Sequence, residues 1–317
     1  MSSKPKKIRG VVVSAREKSE FELVKTQIQE CDPKILVIGW PEIIHTPEIL
    51  RDKVDLMLTI GGDGSVAWLV GAYYKAFDTI EGMKPIVPVT RPESVGYLKQ
   101  LDFEKDSFKE GFKKLLNGDY EVIQRTVLQI SVDDQNIVAV NEVLFSSNPH
   151  LGKFTISIVN GKGIKEVIAE ILADGAMIAT SIGSTAWALS HGGLLNLDED
   201  SLELIFIGGM HRGANYIIPK NGKIFMSLDL KNPVVTKETV FAYNQARKMR
   251  NLPRDEHSRD TLGIIYSSQV LVDGKVLTFG AKSLTINPDW SIPFVSIKDH
   301  TVYEKARRYT KNTDALW

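Results

Sequence analysis

The chain has 317 residues, 39 lysines and arginines against 39 aspartates and glutamates, a 43% hydrophobic and 25% charged composition, and one cysteine, Cys31. That length exceeds what one core usually supports, zero net charge gives no footprint for a nucleic-acid partner, and one cysteine excludes a disulfide framework. The lysine-bearing start, Met1 to Arg9, has no apolar segment behind it and no stretch reaches membrane-spanning length, so a soluble cytoplasmic protein without a membrane partner is expected.

In chain order, Ile8 to Ser14 reads as a first strand and Ser19 to Gln29 as a helix. Lys34 to Trp40 is a second strand, Thr46 to Arg51 a short connection with a proline, and Val54 to Ile60 a third strand. That third strand runs into Gly61-Gly62-Asp63-Gly64-Ser65, and Ser65 to Phe77 follows as a helix. Pro85 to Val89 is a fourth strand, and Phe103 to Leu116 a strongly amphipathic helix. Strands alternating with helices through short loops argue a mostly parallel, doubly covered sheet over residues 1–120.

After Asn117-Gly118-Asp119 the pattern becomes β-rich, which sets a second domain over 121–298. Tyr120 to Val132, Ile137 to Phe145, Phe154 to Val159, Leu202 to Ile207, Lys223 to Leu230, Gly263 to Val272 and Ser283 to Asn287 read as strands. The charged stretch 237–260 is an insertion, helical in its first half and loop-like after Pro253. The segment 299–317 reads as a terminal helix and tail that would pack back on the first domain.

The glycine turn is the first place to look for chemistry. Ligands of open α/β sheets sit at the carboxyl ends of strands, and the free N–H groups of a following helix attract phosphate. A carboxylate among such amides suits a general base or a ligand for the metal carried by the phosphate. A tight turn with a helix-capping aspartate is the alternative. Further along, Asn141 and Glu142 interrupt an apolar run, which is expensive without partners and suggests hydrogen bonds to ligand hydroxyls; a polar pair at a strand edge is the alternative. Asp174-Gly175 begins a strand that enters Gly183-Ser184-Thr185-Ala186, with a short helix through Ser190. Trp187 on that helix either stacks on a flat ring or belongs to the core. His211 stands at a strand end, and the six histidines show no metal-ligand spacing.

The order Gly-Gly-Asp-Gly, Asn141-Glu142, Asp174-Gly175, Gly183-Ser184-Thr185-Ala186 and Asp273-Gly274 resembles the NAD kinases over about Ile8 to Asn287. The resemblance implies an α/β first domain and a β-sandwich-like second domain. It implies transfer of phosphate from ATP, with Mg²⁺, to the adenosine 2′-hydroxyl of NAD. It makes Asp63 the catalytic base, with Gly61, Gly62, Gly64 and Ser65 as the phosphate-binding turn. Asn141 and Glu142 would hold the adenosine half of NAD, Asp174 would lie toward the nicotinamide, and Thr185, Ala186, Trp187 and Ser190 would line the dinucleotide site. A homodimer or homotetramer is the expected assembly.

The chain departs from the family in four places. Arg91-Pro92-Glu93-Ser94-Val95-Gly96-Tyr97-Leu98 replaces an Asn-x-Gly-x-Leu-Gly-Phe-Leu loop, keeping Gly96, Tyr97 and Leu98. Ile182 replaces a threonine, Met210-His211 meets a Pro-His segment loosely, and the insertion 237–260 has no counterpart. Two further readings follow. One is a related kinase with a changed hydroxyl acceptor, read by Arg91 and Glu93, with Arg91 and Tyr97 among the substrate contacts. The other is a non-catalytic dinucleotide-binding protein.

Overall fold

A computed structural model describes residues 7–91, 98–147, 151–159, 163–209, 215–230, 237–250, 252–253, 255–257 and 268–297. The chain divides into two compact units, Met1–Thr126 together with the chain from Ser291 onward, and Val127–Trp290.

The first unit is an α/β layer. Strands β1 (Gly10–Ser14), β2 (Leu36–Gly39), β3 (Leu56–Ile60) and β4 (Ile86–Thr90) pair in parallel in the order β2-β1-β3-β4, and β5 (Leu101–Asp102) lies beside β4. Every residue of β1, β3 and β4 is buried, as continuous apolar runs covered on both faces must be. The strand order reverses direction between β1 and β3, so the carboxyl end of β3 sits at a topological switch point. The helices are α1 (Lys18–Cys31), α2 (Trp40–Ile43), α3 (Pro47–Lys53), α4 (Asp63–Phe77) and α5 (Lys105–Asn117). The apolar stripe of α5 buries Phe108, Phe112 and Leu115 against β-branched strand residues, the two rings stacked at 5.7 Å between centroids.

The segment Thr46 to Arg51, expected to be a connection, is helical. Pro47 occupies the first turn of α3, where its missing N–H has no partner to lose. The helix expected to open at Ser65 opens two residues earlier, at Asp63.

The second unit is built from two antiparallel sheets. One contains β9 (Gly152–Val159), β10 (Lys165–Ala173), β14 (Lys223–Leu230) and the first half of β17 (Ser283–Ile297), in the order β10-β9-β14-β17. The hairpin of β6 (Tyr120–Val132) and β7 (Gln135–Ala139) belongs to the same layer. The other sheet has the order β13-β12-β11-β8-β15-β16. Its strands are β8 (Glu142–Ser146), β11 (Gly175–Ala179), β12 (Ser201–Ile207), β13 (Tyr216–Pro219), β15 (Gln269–Val272) and β16 (Lys275–Phe279). Alternate residues of both sheets meet in one core, including Phe145, Phe154, Ile156, Ile178, Leu204 and Ile286, which gives the sandwich its shared interior. A short 3₁₀ turn at Gly183–Thr185 leads into α6 (Trp187–Ser190), and α7 (Lys237–Met249) supplies the helical first half of the insertion.

Four strands, β5, β10, β13 and β16, were not expected, and β17 runs ten residues past the expected end at Asn287. The expected strand Ile137 to Phe145 is two strands, β7 and β8, broken at Val140-Asn141. Tyr97, His211, the stretch 263–267 and the tail 299–317 lie outside the described residues.

Candidate active site

The glycine turn is shaped by steric necessity. Gly61 adopts φ +137°, and a Cβ there would lie 2.1 Å from the Ser65 Oγ. Its N–H donates to the Val89 carbonyl of β4 at 2.9 Å, and the Ser65 N–H donates to the Gly62 carbonyl at 2.9 Å. Gly62 is the N-cap of α4, without a side-chain cap, and Asp63 is the first helical residue. The capping alternative therefore fails, because the capping position is a glycine. Asp63 instead accepts the Leu98 N–H at Oδ1, 3.1 Å, while remaining part-exposed beside the exposed Gly64. The turn thus places a carboxylate at the N-terminus of a helix, the end whose dipole favours negative charge.

Arg91 ends the run that follows β4. Its Nε donates to Glu20 Oε1 at 2.7 Å, and its Nη2 ion-pairs with the same oxygen. Glu20 also accepts the Glu17 N–H in the capping box of α1. The guanidinium therefore already has a carboxylate within its own unit, and the structure accounts for it without a ligand. Both side chains are mostly buried, 24% and 14% exposed. We expect Arg91→Gln to lower stability by about 1–3 kcal/mol, the scale for losing one partner of a charged hydrogen bond. Isothermal titration should find its NAD affinity unchanged, which contradicts Arg91 as a reader of the acceptor.

In the second unit, Asn141 ends the turn between β7 and β8, and Glu142 opens β8 directly after it. Both are buried, and Asn141 Oδ1 and Glu142 Oε2 find no hydrogen-bond partner among the described residues. Burial, and secondly the Asp273 carboxyl nearby, push Glu142 up to about 8. Thr180 fastens the turn from the other side: its Oγ1 donates to the Val140 carbonyl at 2.7 Å and its N–H to the Asn141 carbonyl at 2.9 Å. Gly183 N–H closes the loop by donating to Thr180 Oγ1 at 3.1 Å.

Gly183 is close enough to this turn that a Cβ would lie 2.1 Å from the Asn141 carbonyl oxygen. Neither atom is on a flexible side chain. Gly183→Ala should therefore displace the Asn141–Glu142 turn and destabilise the protein by about 1–3 kcal/mol, the usual scale for overpacking. Urea unfolding would show it as a fall in midpoint at unchanged slope.

Gly183 sets the 3₁₀ turn Gly183–Thr185 against Asn141, with Ala186, Trp187 and Ser190 directly after it in the chain. Thr185 Oγ1 donates to the Ile182 carbonyl at 2.9 Å and Ser190 Oγ to the Trp187 carbonyl at 2.7 Å, so both hydroxyls serve the local turn. Trp187 packs on the cluster of Leu144, Met177, Ala179, Ala188 and Ile205 and meets His191 edge-on at 5.1 Å. Asp174 is elsewhere. The ladder pairs Gly175 with Ser146 and Ala179 with Glu142, so Asp174 stands at the far end of β11. At the usual rise per strand residue it is roughly 16 Å from the Glu142 position.

Two carboxylates were given no role in the sequence. Asp273, named there only within the motif order, stands in the β15–β16 hairpin turn and is taken up below. Glu203 sits opposite Ala179, which in turn faces Glu142, so the two glutamates share one face of the sheet. It is fully buried, and its Oε1 accepts the Leu194 N–H at 2.5 Å. Burial raises its carboxyl above the ordinary range, partly offset by that N–H. A single acid in Ser-Leu-Glu-Leu-Ile-Phe-Ile was the available signal.

No family model matches the chain. It is 27% identical over 215 residues to the mitochondrial NADH kinase of Schizosaccharomyces pombe, covering 60% of this chain and 51% of that protein. It is 36% identical over 166 residues to the NAD kinase of Carboxydothermus hydrogenoformans, covering 51% of this chain and 56% of that protein. The chain thus spans about half the length of the curated relatives it matches. Among solved structures, an Archaeoglobus fulgidus NAD kinase in complex with ATP superposes with a TM-score of 0.65 at 18% identity, over 96% of this chain and 99% of that one. A yeast NADH kinase complexed with NADH gives 0.66 at 18% identity, over 96% and 87%. The α/β unit and the antiparallel sandwich are thus the fold of these kinase structures, and the curated relatives that the chain resembles over about half their length are NAD and NADH kinases.

Proposed function

We propose that this chain is an NAD kinase, transferring the γ-phosphoryl group of ATP to the adenosine 2′-hydroxyl of NAD. The observation that carries the reading is Asp63, the first residue of a helix that opens directly from a glycine turn at the switch point of a parallel sheet. Phosphate charge is met there by helix N-terminal amides, and the acceptor proton by a carboxylate. Asp63 takes the proton of the ribose hydroxyl as its oxygen forms a bond to the γ-phosphorus and the bond to ADP breaks. Asn141 and Glu142 bind the adenosine half, their unsatisfied oxygens accepting from ligand donors.

Among the described residues no group of three His, Cys, Asp or Glu side chains could hold a metal ion. In this reading Mg²⁺ comes on the ATP phosphates, with Asp63 the residue of the turn able to touch it. When bound, the metal neutralises phosphate charge. The same reading places the protein in the cytoplasm as a homodimer or homotetramer, which fractionation and sedimentation would check. Among the described residues no helix is long and apolar enough to cross a membrane.

The test is direct: purified protein, Mg²⁺, ATP or polyphosphate, and NAD or NADH in separate reactions. Formation of NADP or NADPH supports the reading. No product from any combination, with folded protein, overturns it.

A further inference from the structure

The Asn141–Glu142 turn is held by a residue 131 to 133 positions away. Asp273 Oδ2 accepts the Val140 N–H at 3.0 Å, and Oδ1 accepts the Asn141 N–H at 2.7 Å and the Glu142 N–H at 3.3 Å. In return the Asp273 N–H donates to the Glu142 carbonyl at 3.0 Å. Asp273 and Gly274 form a two-residue hairpin loop with φ +47° and +74°, the geometry of a type I′ turn, and Val272 pairs with Lys275 across it. Three consecutive amides converging on one carboxylate is the arrangement of an anion-binding nest, with the anion supplied by the chain itself.

We propose that Asp273 is a positioning residue for nucleoside recognition, fixing the Val140–Glu142 backbone in the conformation that presents the Asn141 and Glu142 side chains to the substrate.

The geometry makes this more than a fold contact. β7 and β8 would otherwise continue as one strand, and in a strand Asn141 and Glu142 would point to opposite faces. Breaking the strand at Val140-Asn141 frees three N–H groups, and a buried orphan donor costs about 1–3 kcal/mol. The Asp273 carboxylate satisfies all three. Thr180 satisfies the carbonyls of Val140 and Asn141, so the backbone of the turn is fully accounted for while its two side chains retain unsatisfied oxygens.

Asp273 also sets the charge state of its neighbour. Among the described residues, the charged or titratable groups around Glu142 are Asp273 itself, Lys275 on β16 acting on Asp273, and Glu203 two strands away. Two buried carboxyls this close share their protons as a pair. Burial raises the Asp273 carboxyl as well, but the three N–H donors pull it back down, and Glu142 has no such donors to offset its own burial.

Asp273→Asn tests the proposal, which rests on NAD being the ligand. NAD binding is titrated without ATP from pH 6 to pH 9, alongside thermal melting and kcat at saturating NAD. At pH 9, where Glu142 is ionised in both proteins, the variant should bind NAD about tenfold more weakly, the scale of one charge-assisted hydrogen bond. Its kcat at saturation should stay within about threefold, since a ground-state positioning effect appears in binding. The pH midpoint of NAD binding should move down, because the neighbouring charge is gone; a merely structural residue would not move it. A folded variant with wild-type affinity and midpoint overturns the positioning role alone. Wild-type protein that does not bind NAD overturns both this inference and the proposed function. Should the variant not fold, the backbone amide resonances of Asn141 and Glu142 in the wild type give the answer. They should titrate with the pair and shift on adding NAD, and unresponsive amides overturn the proposal.

Discussion

Asp63→Asn is expected to leave the fold and the melting temperature in place and to lower phosphoryl transfer by about 10²–10⁴-fold, the range for loss of a general base. The amide keeps the size of the carboxylate and its carbonyl oxygen can still accept the Leu98 N–H. Helix α4 keeps its glycine N-cap, and the helix dipole contributes a few tenths of a kcal/mol to the charge of Asp63. What the amide cannot do is take a proton from a ribose hydroxyl. Initial rates at saturating ATP and NAD, with circular-dichroism melts of both proteins, make the comparison. Near-normal turnover in a normally folded variant would remove Asp63 from the role of base and leave the glycine turn as a phosphate site only.

Much of the first unit is written in its local sequence. Val11 to Val13, Leu56 to Ile60 and Ile86 to Val89 are apolar runs too short for helices and bounded by turns, and they form the buried parallel strands. The helix α5 follows from its spacing of aromatic and leucine residues. The short helices α2 and α3 were not legible, because Pro41 and Pro47 read as breakers although each sits in a first turn. β10 hides for another reason: Lys-Glu-Val-Ile-Ala-Glu-Ile-Leu-Ala has as much helix as strand propensity, and its partner β9 decides.

The site divides in the same way. The glycine turn is local, and its residues could be named from the order of the chain. The Asn141–Glu142 turn is not, because what breaks the strand is Thr180 on one side and Asp273 on the other, both far away in sequence. Arg91 was read as facing a substrate, since nothing in the neighbouring residues shows that Glu20, 71 positions earlier, reaches it. Glu203 lay inside the expected strand Leu202 to Ile207 and was given no role. It is buried because the loop after α6 covers that face and ties Leu194 to it. In each case the missing information is tertiary, a contact that no window of sequence contains.

Glu142→Gln is expected to strengthen the fold and weaken the site. An unfolded glutamate ionises near its ordinary value of about 4.3, whereas in the fold Glu142 holds its proton up to about 8. Between those values the folded chain binds a proton that the unfolded chain has released. The stability associated with Glu142 is therefore fully present below the ordinary value and is lost as pH rises through 8. Each pH unit of that interval corresponds to about 1.4 kcal/mol, so the decline is on the order of a few kcal/mol. Glutamine has no proton to hold, and the variant should lack this decline and exceed wild type at pH 8 to 9 by about 2–4 kcal/mol in urea unfolding. Binding runs the other way. If ligand hydroxyls donate to the ionised carboxylate, only the ionised fraction is competent, roughly one molecule in ten at pH 7. Wild-type NAD affinity should then rise about tenfold from pH 6 to pH 7, continue to rise toward pH 8, and level above it. The glutamine variant should be weaker at pH 8 and nearly independent of pH. A wild-type affinity that is flat across this range, or a variant that matches wild type at pH 8, would show that Glu142 binds NAD as a neutral acid or does not bind it at all.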